Sequence, residues 1–330
     1  MKIACILCSV LLGLVTSVSE DLGVNDEVNL LQVVLDSHKQ AYKPSRGTYK
    51  REQRILRYYS WVHVPKCGKI LSSLIRLPGA CNSEFNDDLI VNKKFQSLTN
   101  LASQDVPVPD INKNCPGIYT PYCHLSMGTI GMVADHSGID NSMVQGHGII
   151  MLRQPEQRII SAYQDSFHSW PTWYYQREPK SIAEYAKVVN GCAVKMLTRQ
   201  GRACAHSNLY QEAPCGDPSH PARLEEAHMA IERLRSGFVF VGITEDWDMS
   251  VCLFHIMLGG QCHWSEFVNT NPGRSHANET FNTSLLDGFV DIYDGLLYEE
   301  AKRIYNENLK MYGVSPSTCE SCFKHRASMN

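Results

Sequence analysis

Tyr58-Tyr59-Ser60-Trp61-Val62-His63-Val64-Pro65-Lys66-Cys67-Gly68-Lys69 is the stretch on which the fold turns. Its first seven residues form an aromatic and β-branched run that reads as a buried strand, and the Pro-Lys-Cys-Gly-Lys segment then forces a tight loop before an apolar helical pattern. The same strand, loop and helix order recurs at Gly148-Ile-Ile-Met-Leu152, followed by Arg153-Gln-Pro-Glu156 and a helix through Ile159, Ile160, Tyr163 and Phe167. Pro155 suits the first turn of that helix, where its missing N–H costs nothing. A third unit runs from Phe238 to Val241, with Gly242-Ile-Thr-Glu-Asp246 leading into a helix through Val251, Leu253, Phe254 and Leu258. A helix from Ala222 to Arg235 precedes it. Strands alternating with helices predict an α/β fold whose central parallel sheet is flanked by helices on both faces, with ligands at the carboxyl ends of the strands.

Bulk properties bound what such a domain can do. A chain of 330 residues, 43% hydrophobic and 20% charged, has material for one large core and the composition of an ordinary globular protein. The formal net charge of −3 supplies no global positive field, so nucleic acid is not an expected partner and any anion binding must be local. Lys2 precedes an apolar run from Ile3 to Val15, and Ser17 and Ser19 offer a cleavage site before Glu20. Residues 1–19 therefore read as a signal peptide. A bilayer span needs about 20 apolar residues, so an uncleaved anchor is the alternative, and a membrane is a partner only in that case. Residues 20–57 read as a stem or linker. Within it Glu27 to Lys39 has the apolar spacing of a short amphipathic helix, and the basic stretch from Lys43 to Arg57 reads as a solvated linker.

Thirteen cysteines are many for a reducing compartment, and removing Cys5 and Cys8 with the leader leaves eleven. One must stay unpaired within the monomer. Cys319 and Cys322 lie in a polar tail, residues 316–330, and without a second CxxC they read as a terminal staple rather than a zinc or redox site. The sequons at Asn278 and Asn282 fit a lumenal surface loop.

Chemistry concentrates where the first two strands end. A glycine between strand and helix lets successive N–H groups of the Pro65–Lys69 loop face one anion, with Lys66 as a mobile charge and Lys69, Ser72 and Ser73 as further donors. The loop lacks the GxxxxGK[ST] spacing of a nucleotide triphosphate loop, and taken alone such a turn is equally at home without a ligand. Arg153 adds a bidentate fork at the second strand end, and Ser161 adds a hydroxyl two helical turns on, with Arg158 and Tyr163 between and beyond. Charge-assisted contacts of this kind contribute about 1.5–3 kcal/mol each. Two anion sites imply a bis-anionic cofactor.

These residues resemble the sulfotransferases that use 3′-phosphoadenosine 5′-phosphosulfate (PAPS), in particular the Golgi carbohydrate branch that includes the heparan and chondroitin enzymes. Trp61-Val-His-Val-Pro-Lys-Cys-Gly68 resembles that family's 5′-phosphosulfate loop, and Leu152-Arg-Gln-Pro-Glu-Gln-Arg-Ile-Ile-Ser-Ala-Tyr163 is similar to its 3′-phosphate motif in residue type and spacing. Val241-Gly-Ile-Thr-Glu-Asp-Trp247 and Leu297-Tyr-Glu-Glu-Ala-Lys302 also look like family segments, so the likeness extends over 58–313. It implies a single P-loop-like domain over 58–315, PAPS as cofactor with PAP as product, and no metal. By the same resemblance Pro65, Lys66, Cys67, Gly68, Lys69, Ile70 and Ser72 line the phosphosulfate, Lys66 steadies the leaving group, and Arg153 and Ser161 bind the 3′-phosphate. Arg274, in Asn271-Pro-Gly-Arg, adds a looser phosphate contact. One departure stands out: the family has a small residue and then a hydroxyl residue where this chain has Lys69 and Ile70. Cys67 sits where the family has Thr or Cys, and inside a tight anion loop it is poorly placed for a disulfide, which makes it the candidate free thiol.

Sulfuryl transfer also needs a base for the acceptor hydroxyl, and histidine suits a mildly acidic lumen because its ordinary pKa is about 6.5. Tyr122-Cys-His-Leu-Ser-Met-Gly128 is similar to the segment that supplies the base in several carbohydrate sulfotransferases, which selects His124. His136 beside Asp135 is the second candidate and Glu84 the third. The acceptor is expected to be a glycan or another hydroxyl compound, and the expected location is the Golgi lumen, with secretion or type II anchoring as alternatives. The cysteines and histidines show no ligand spacing such as HExxH, in keeping with a metal-free reaction. Two other readings stay open: a catalytically silent relative that binds PAPS or sulfated glycans, and a P-loop kinase.

Overall fold

The computed structural model describes residues 58–68, 70–81, 115, 117–119, 139, 144–199, 214–267 and 281–327. The leader, the stem with its expected helix and the sequon at Asn278 lie outside them. Four strands, β1 (Tyr59–Val62), β2 (Ile118–Tyr119), β3 (Gly148–Leu152) and β4 (Phe238–Ile243), form one parallel sheet in the order β2-β1-β3-β4. Every residue of β1 and β3 is buried, and their continuous apolar runs are what a parallel strand covered by other elements requires. The α/β class expected from the alternating pattern is therefore observed.

Register decides where the strands end. Val62 stands beside Ile150, and Leu152 stands beside Ile243, so the segments that leave β1, β3 and β4 all emerge at the carboxyl edge of the sheet. The segments 65–68, 153–154 and 244–246 thus follow three parallel strands at one edge of the sheet.

The helices follow in chain order as α1 (Leu71–Leu74), α2 (Pro155–Gln164), α3 (Thr172–Tyr175), α4 (Ile182–Val189), α5 (Cys192–Thr198), α6 (Leu224–Gly237), α7 (Trp247–Leu258), α8 (Ile292–Tyr312) and α9 (Glu320–Ala327). Helix α2 starts as its sequence dictates: the Gln154 side chain accepts the Gln157 N–H at 2.7 Å and Pro155 occupies the first turn. Its inner face, Ile159, Ile160 and Ala162, packs into a cluster with Trp170, Tyr185, Ala186, Val189 and Leu286. Burying each such isoleucine contributes about 1.5–3 kcal/mol, so α2 is anchored by its middle and not by its ends.

Arg158, on the same helix, is 3% exposed at its side chain and lies 3.4 Å from Asp294 and 3.7 Å from Asp291. Those two carboxylates in turn accept the N–H groups of Gly191, Ala193 and Val194, so one buried ionic cluster ties α2, the start of α5 and the start of α8 together. Burial and the neighbouring Asp294 push Asp291 upward, against the pull of Arg158 and the N–H donors. Arg158, named between the anion-binding positions in the sequence, belongs to the scaffold.

Disulfides join Cys81 to Cys115, Cys192 to Cys215, Cys252 to Cys319 and Cys262 to Cys322. This density is that of an extracytoplasmic, secretory-type protein. Cys319 and Cys322 are split between two partners, so the tail is a staple that pins α9 to α7 and to the segment after it. Among the described residues Cys67 is the one free cysteine, as expected from its loop. Cys123 and Cys204 lie outside the described residues. No described helix is long and apolar enough to cross a membrane.

Candidate functional site

The loop after β1 turns through Pro65 and Lys66, with the Cys67 N–H bonded to the Val64 carbonyl at 3.2 Å. Lys66 has φ 66° and Gly68 φ 87°, both in the left-handed region that costs a side-chain-bearing residue about 1 kcal/mol or more. Gly68 is required twice over, because a Cβ there would meet the Trp247 ring at 2.5 Å. The backbone is thus curled under an indole lid. Cys67 is buried, and burial pushes its thiol up to about 12, so it stays a neutral thiol in any biological compartment.

Lys66 extends its ammonium to Asp165, the residue that caps the end of α2, with Nζ and Oδ2 at 3.0 Å. Their side chains are 15% and 47% exposed, so the pair sits at the rim. Asp165 is one helical turn beyond Ser161, whose carbonyl accepts the Asp165 N–H at 3.2 Å. Residues at this spacing share a helix face, which puts Ser161 on the side of α2 that looks toward Lys66. Ser161 is half-buried.

Arg153 leaves the end of β3 and donates from Nη1 to the carbonyl of Lys66 at 3.3 Å. The two loops expected to bind separate anions are therefore in direct contact. The Arg153 Nε is buried and makes no hydrogen bond, and its nearest carboxylate oxygen, on Glu245, is 3.9 Å away. The guanidinium also lies over the Phe281 ring, 5.4 Å from its centroid, and Gln157 fixes Phe281 through two backbone hydrogen bonds of 2.8 Å. Burial pulls the Arg153 pKa down and the Glu245 charge opposes this, leaving the group cationic. A buried cationic donor with unused hydrogens is the chemistry of an anion site.

The single turn Thr244–Asp246 that follows β4 touches both loops. Thr244 donates its hydroxyl to the Cys67 carbonyl at 2.7 Å, and Glu245 accepts the Gln154 N–H at 3.0 Å and the Tyr298 hydroxyl at 2.8 Å. Burial, then the Glu245 charge, raises the Tyr298 phenol well above its ordinary value, so it remains a donor. Asp165, Thr244, Glu245, Trp247 and Tyr298 are residues that sequence reasoning did not select. For four of them the available signals were the family-like segments Val241–Trp247 and Leu297–Lys302 and, for 244–246, a position directly after a strand whose neighbours end in the two anion loops.

Of the expected site residues, Pro65, Lys66, Cys67, Gly68, Arg153 and Ser161 fall in this one region. Ile70 is 2% exposed, so its side chain belongs to the core and only its backbone can face a ligand. Ser72 lies in α1, with its side chain outside the described residues. Lys69, His124, His136, Glu84 and Arg274 also lie outside them.

A second cluster, His255, Cys262 and Glu266, brings its potential ligand atoms within 4.8 Å of one another. Its members are already committed: Cys262 is bonded to Cys322, and His255 bonds Glu266 at 2.7 Å and the Gly259 carbonyl at 3.0 Å. Comparison with protein-family profiles, curated proteins and solved structures returned no match.

Proposed function

We propose that this chain is a sulfotransferase that moves a sulfuryl group from PAPS to a hydroxyl acceptor, a glycan in the Golgi lumen being the foremost candidate. The single observation that carries the reading is the Arg153 to Lys66 contact, at 3.3 Å, which joins two cationic loops at one sheet edge. A nucleotide with phosphate-type groups at both its 3′ and 5′ positions is the ligand whose charges match that pair. The buried, unbonded Nε of Arg153 fits a phosphate oxygen.

PAPS supplies an activated sulfuryl group on a bridging phosphate oxygen. Lys66 offsets the charge that grows on that oxygen as the sulfur–oxygen bond breaks. Arg153 and Ser161 hold the 3′-phosphate, with Arg274 as a further contact, and so fix the sulfur in line with the acceptor. His124 takes the acceptor proton as the new oxygen–sulfur bond forms. No step calls for a metal. The P-loop-like character of the domain and the flanking of its sheet on both faces belong to the same proposal.

A second reading, a relative that binds PAPS or sulfated glycans without turnover, is favoured by one observation. Ile70 is buried and offers no hydroxyl where the resemblance calls for one. The kinase reading has no such support, because the loop lacks a lysine followed by Ser or Thr. Incubation with sulfur-35-labelled PAPS and a panel of unsulfated glycans separates the first two: transfer of label supports the enzyme, and none with any acceptor removes it. Melting with PAP against ATP and Mg²⁺ addresses the third, since a ligand at 100 times its Kd adds about 2.7 kcal/mol of stability.

A further inference from the structure

Glu245 lies in the family-like segment Val241–Trp247 without a role assigned from sequence, and in the structure it touches Arg153, Gln154 and Tyr298. One carboxylate oxygen accepts the Gln154 backbone N–H at 3.0 Å and lies 3.9 Å from the Arg153 Nε. The other accepts the Tyr298 hydroxyl at 2.8 Å, which anchors the carboxylate to α8. The neighbours of Glu245 hold the opposite loop, Thr244 on the same turn through the Cys67 carbonyl at 2.7 Å and Trp247, the first residue of α7, by closing over Gly68.

We infer that Glu245 is a positioning residue for the ligand anion at Arg153, while Thr244 on the same turn and Trp247 at the start of α7 brace the Lys66 loop, so that the segment 244–247 sets the spacing of two anion sites. This rests on the sulfotransferase reading for the identity of the nucleotide and deepens it by naming what aligns the two ends.

The geometry argues against a plain ion pair. At 3.9 Å, and with the Arg153 Nε making no hydrogen bond, the carboxylate does not consume the guanidinium. It restrains the side chain by charge while leaving the donors for a ligand. Glu245 is itself held by two donors from different elements, Gln154 and Tyr298, so it cannot swing away with Arg153. The Gln154 bond matters separately, because Gln154 caps α2, the helix that carries Ser161. Loosening Glu245 therefore disturbs both groups assigned to the 3′-phosphate, while the Thr244 and Trp247 contacts to the Lys66 loop stay in place.

Calorimetric titration of the full chain with PAP, which carries 3′ and 5′ phosphates, and with 5′-AMP, which lacks the 3′ group, tests this directly. Glu245→Gln is expected to weaken PAP about tenfold and to leave 5′-AMP within about twofold. Tyr298→Phe, which frees the carboxylate without removing it, is expected to weaken PAP about threefold with the same selectivity. Thr244→Val is expected to weaken both ligands in parallel. A merely structural role for Glu245 would shift the two ligands equally. Equal losses in Glu245→Gln, or no loss of PAP binding in either variant, overturn the inference. A wild-type protein that binds neither PAP nor 5′-AMP is a different result: it removes the nucleotide reading itself.

Discussion

The two cationic groups at the sheet edge are held in opposite ways. Among the described residues the Lys66 ammonium pairs with Asp165 alone, across a rim-exposed contact of 3.0 Å, and the Asp165 carboxylate shows no second hydrogen bond. Arg153 has a long contact to Glu245, and Glu245 is clamped by two donors. A short, exposed pair is easily exchanged for a ligand oxygen, whereas a clamped carboxylate stays when a ligand arrives. The Lys66 side is thus built to change partners, and the Arg153 side to keep its shape. Under the sulfotransferase proposal this division fits, since charge would move on the 5′ side and only binding would be asked of the 3′ side.

The strongest way to break the comparison is to collapse the fixed side from below. Arg158 is five residues from Arg153 and also positively charged, yet it faces Asp291 and Asp294 in the interior. Arg158→Ala removes the cation that lies against two buried carboxylates and is expected to cost about 3–5 kcal/mol. The readout is a fall in melting temperature on the order of 10 °C. A variant that melts like the wild type would show that α2 is held in place by packing alone.

Lys66→Ala comes next and bears on the exchangeable side. Loss of a group that meets developing charge costs about 10²–10³-fold in turnover. The expected pattern is a fall of that order in label transfer from PAPS with a much smaller change in the Kd for PAP, because Arg153 still holds the other end. Arg153→Ala is expected to invert the pattern, losing affinity first. If both variants lose affinity and rate in the same proportion, the division of labour between the loops is wrong.

How much of this was legible without coordinates follows from the range of the interactions involved. The strand Gly148–Leu152 is read from its sequence to the residue, because a five-residue apolar run between a glycine and a charged loop is a local signal. Lys66 and Arg153 are legible for the same reason, each directly following a strand. Strand β2 has two residues, too few for any periodicity, and it was not anticipated. Asp165 was invisible and Glu245, though it lies in a family-like segment, had no readable partner, since the contacts they make lie 99 and 91 residues away in the chain. Cys319 and Cys322 could be assigned to a staple from composition, but their partners Cys252 and Cys262 could not, because spacing does not specify connectivity.

The smallest expected effect is the one that tests the exchangeable partner itself. If Asp165 competes with ligand oxygens for Lys66, Asp165→Asn removes a competitor and PAP binds more tightly, where loss of an ordinary contact would weaken it. The pair is rim-exposed, so its net strength falls within the ~0–1 kcal/mol of surface ion pairs and the gain is about threefold in Kd. The same substitution in a Lys66→Ala background is expected to change nothing, since the competition has no object there, and the difference between the two backgrounds isolates the pair. Raising salt should shrink the wild-type penalty and bring wild type and Asp165→Asn together, because exposed charges are screened within about a 10 Å Debye length at 0.1 M. Weaker PAP binding in Asp165→Asn would mean that the carboxylate orders the Lys66 loop for its ligand, and the two sides of the site would then be built alike.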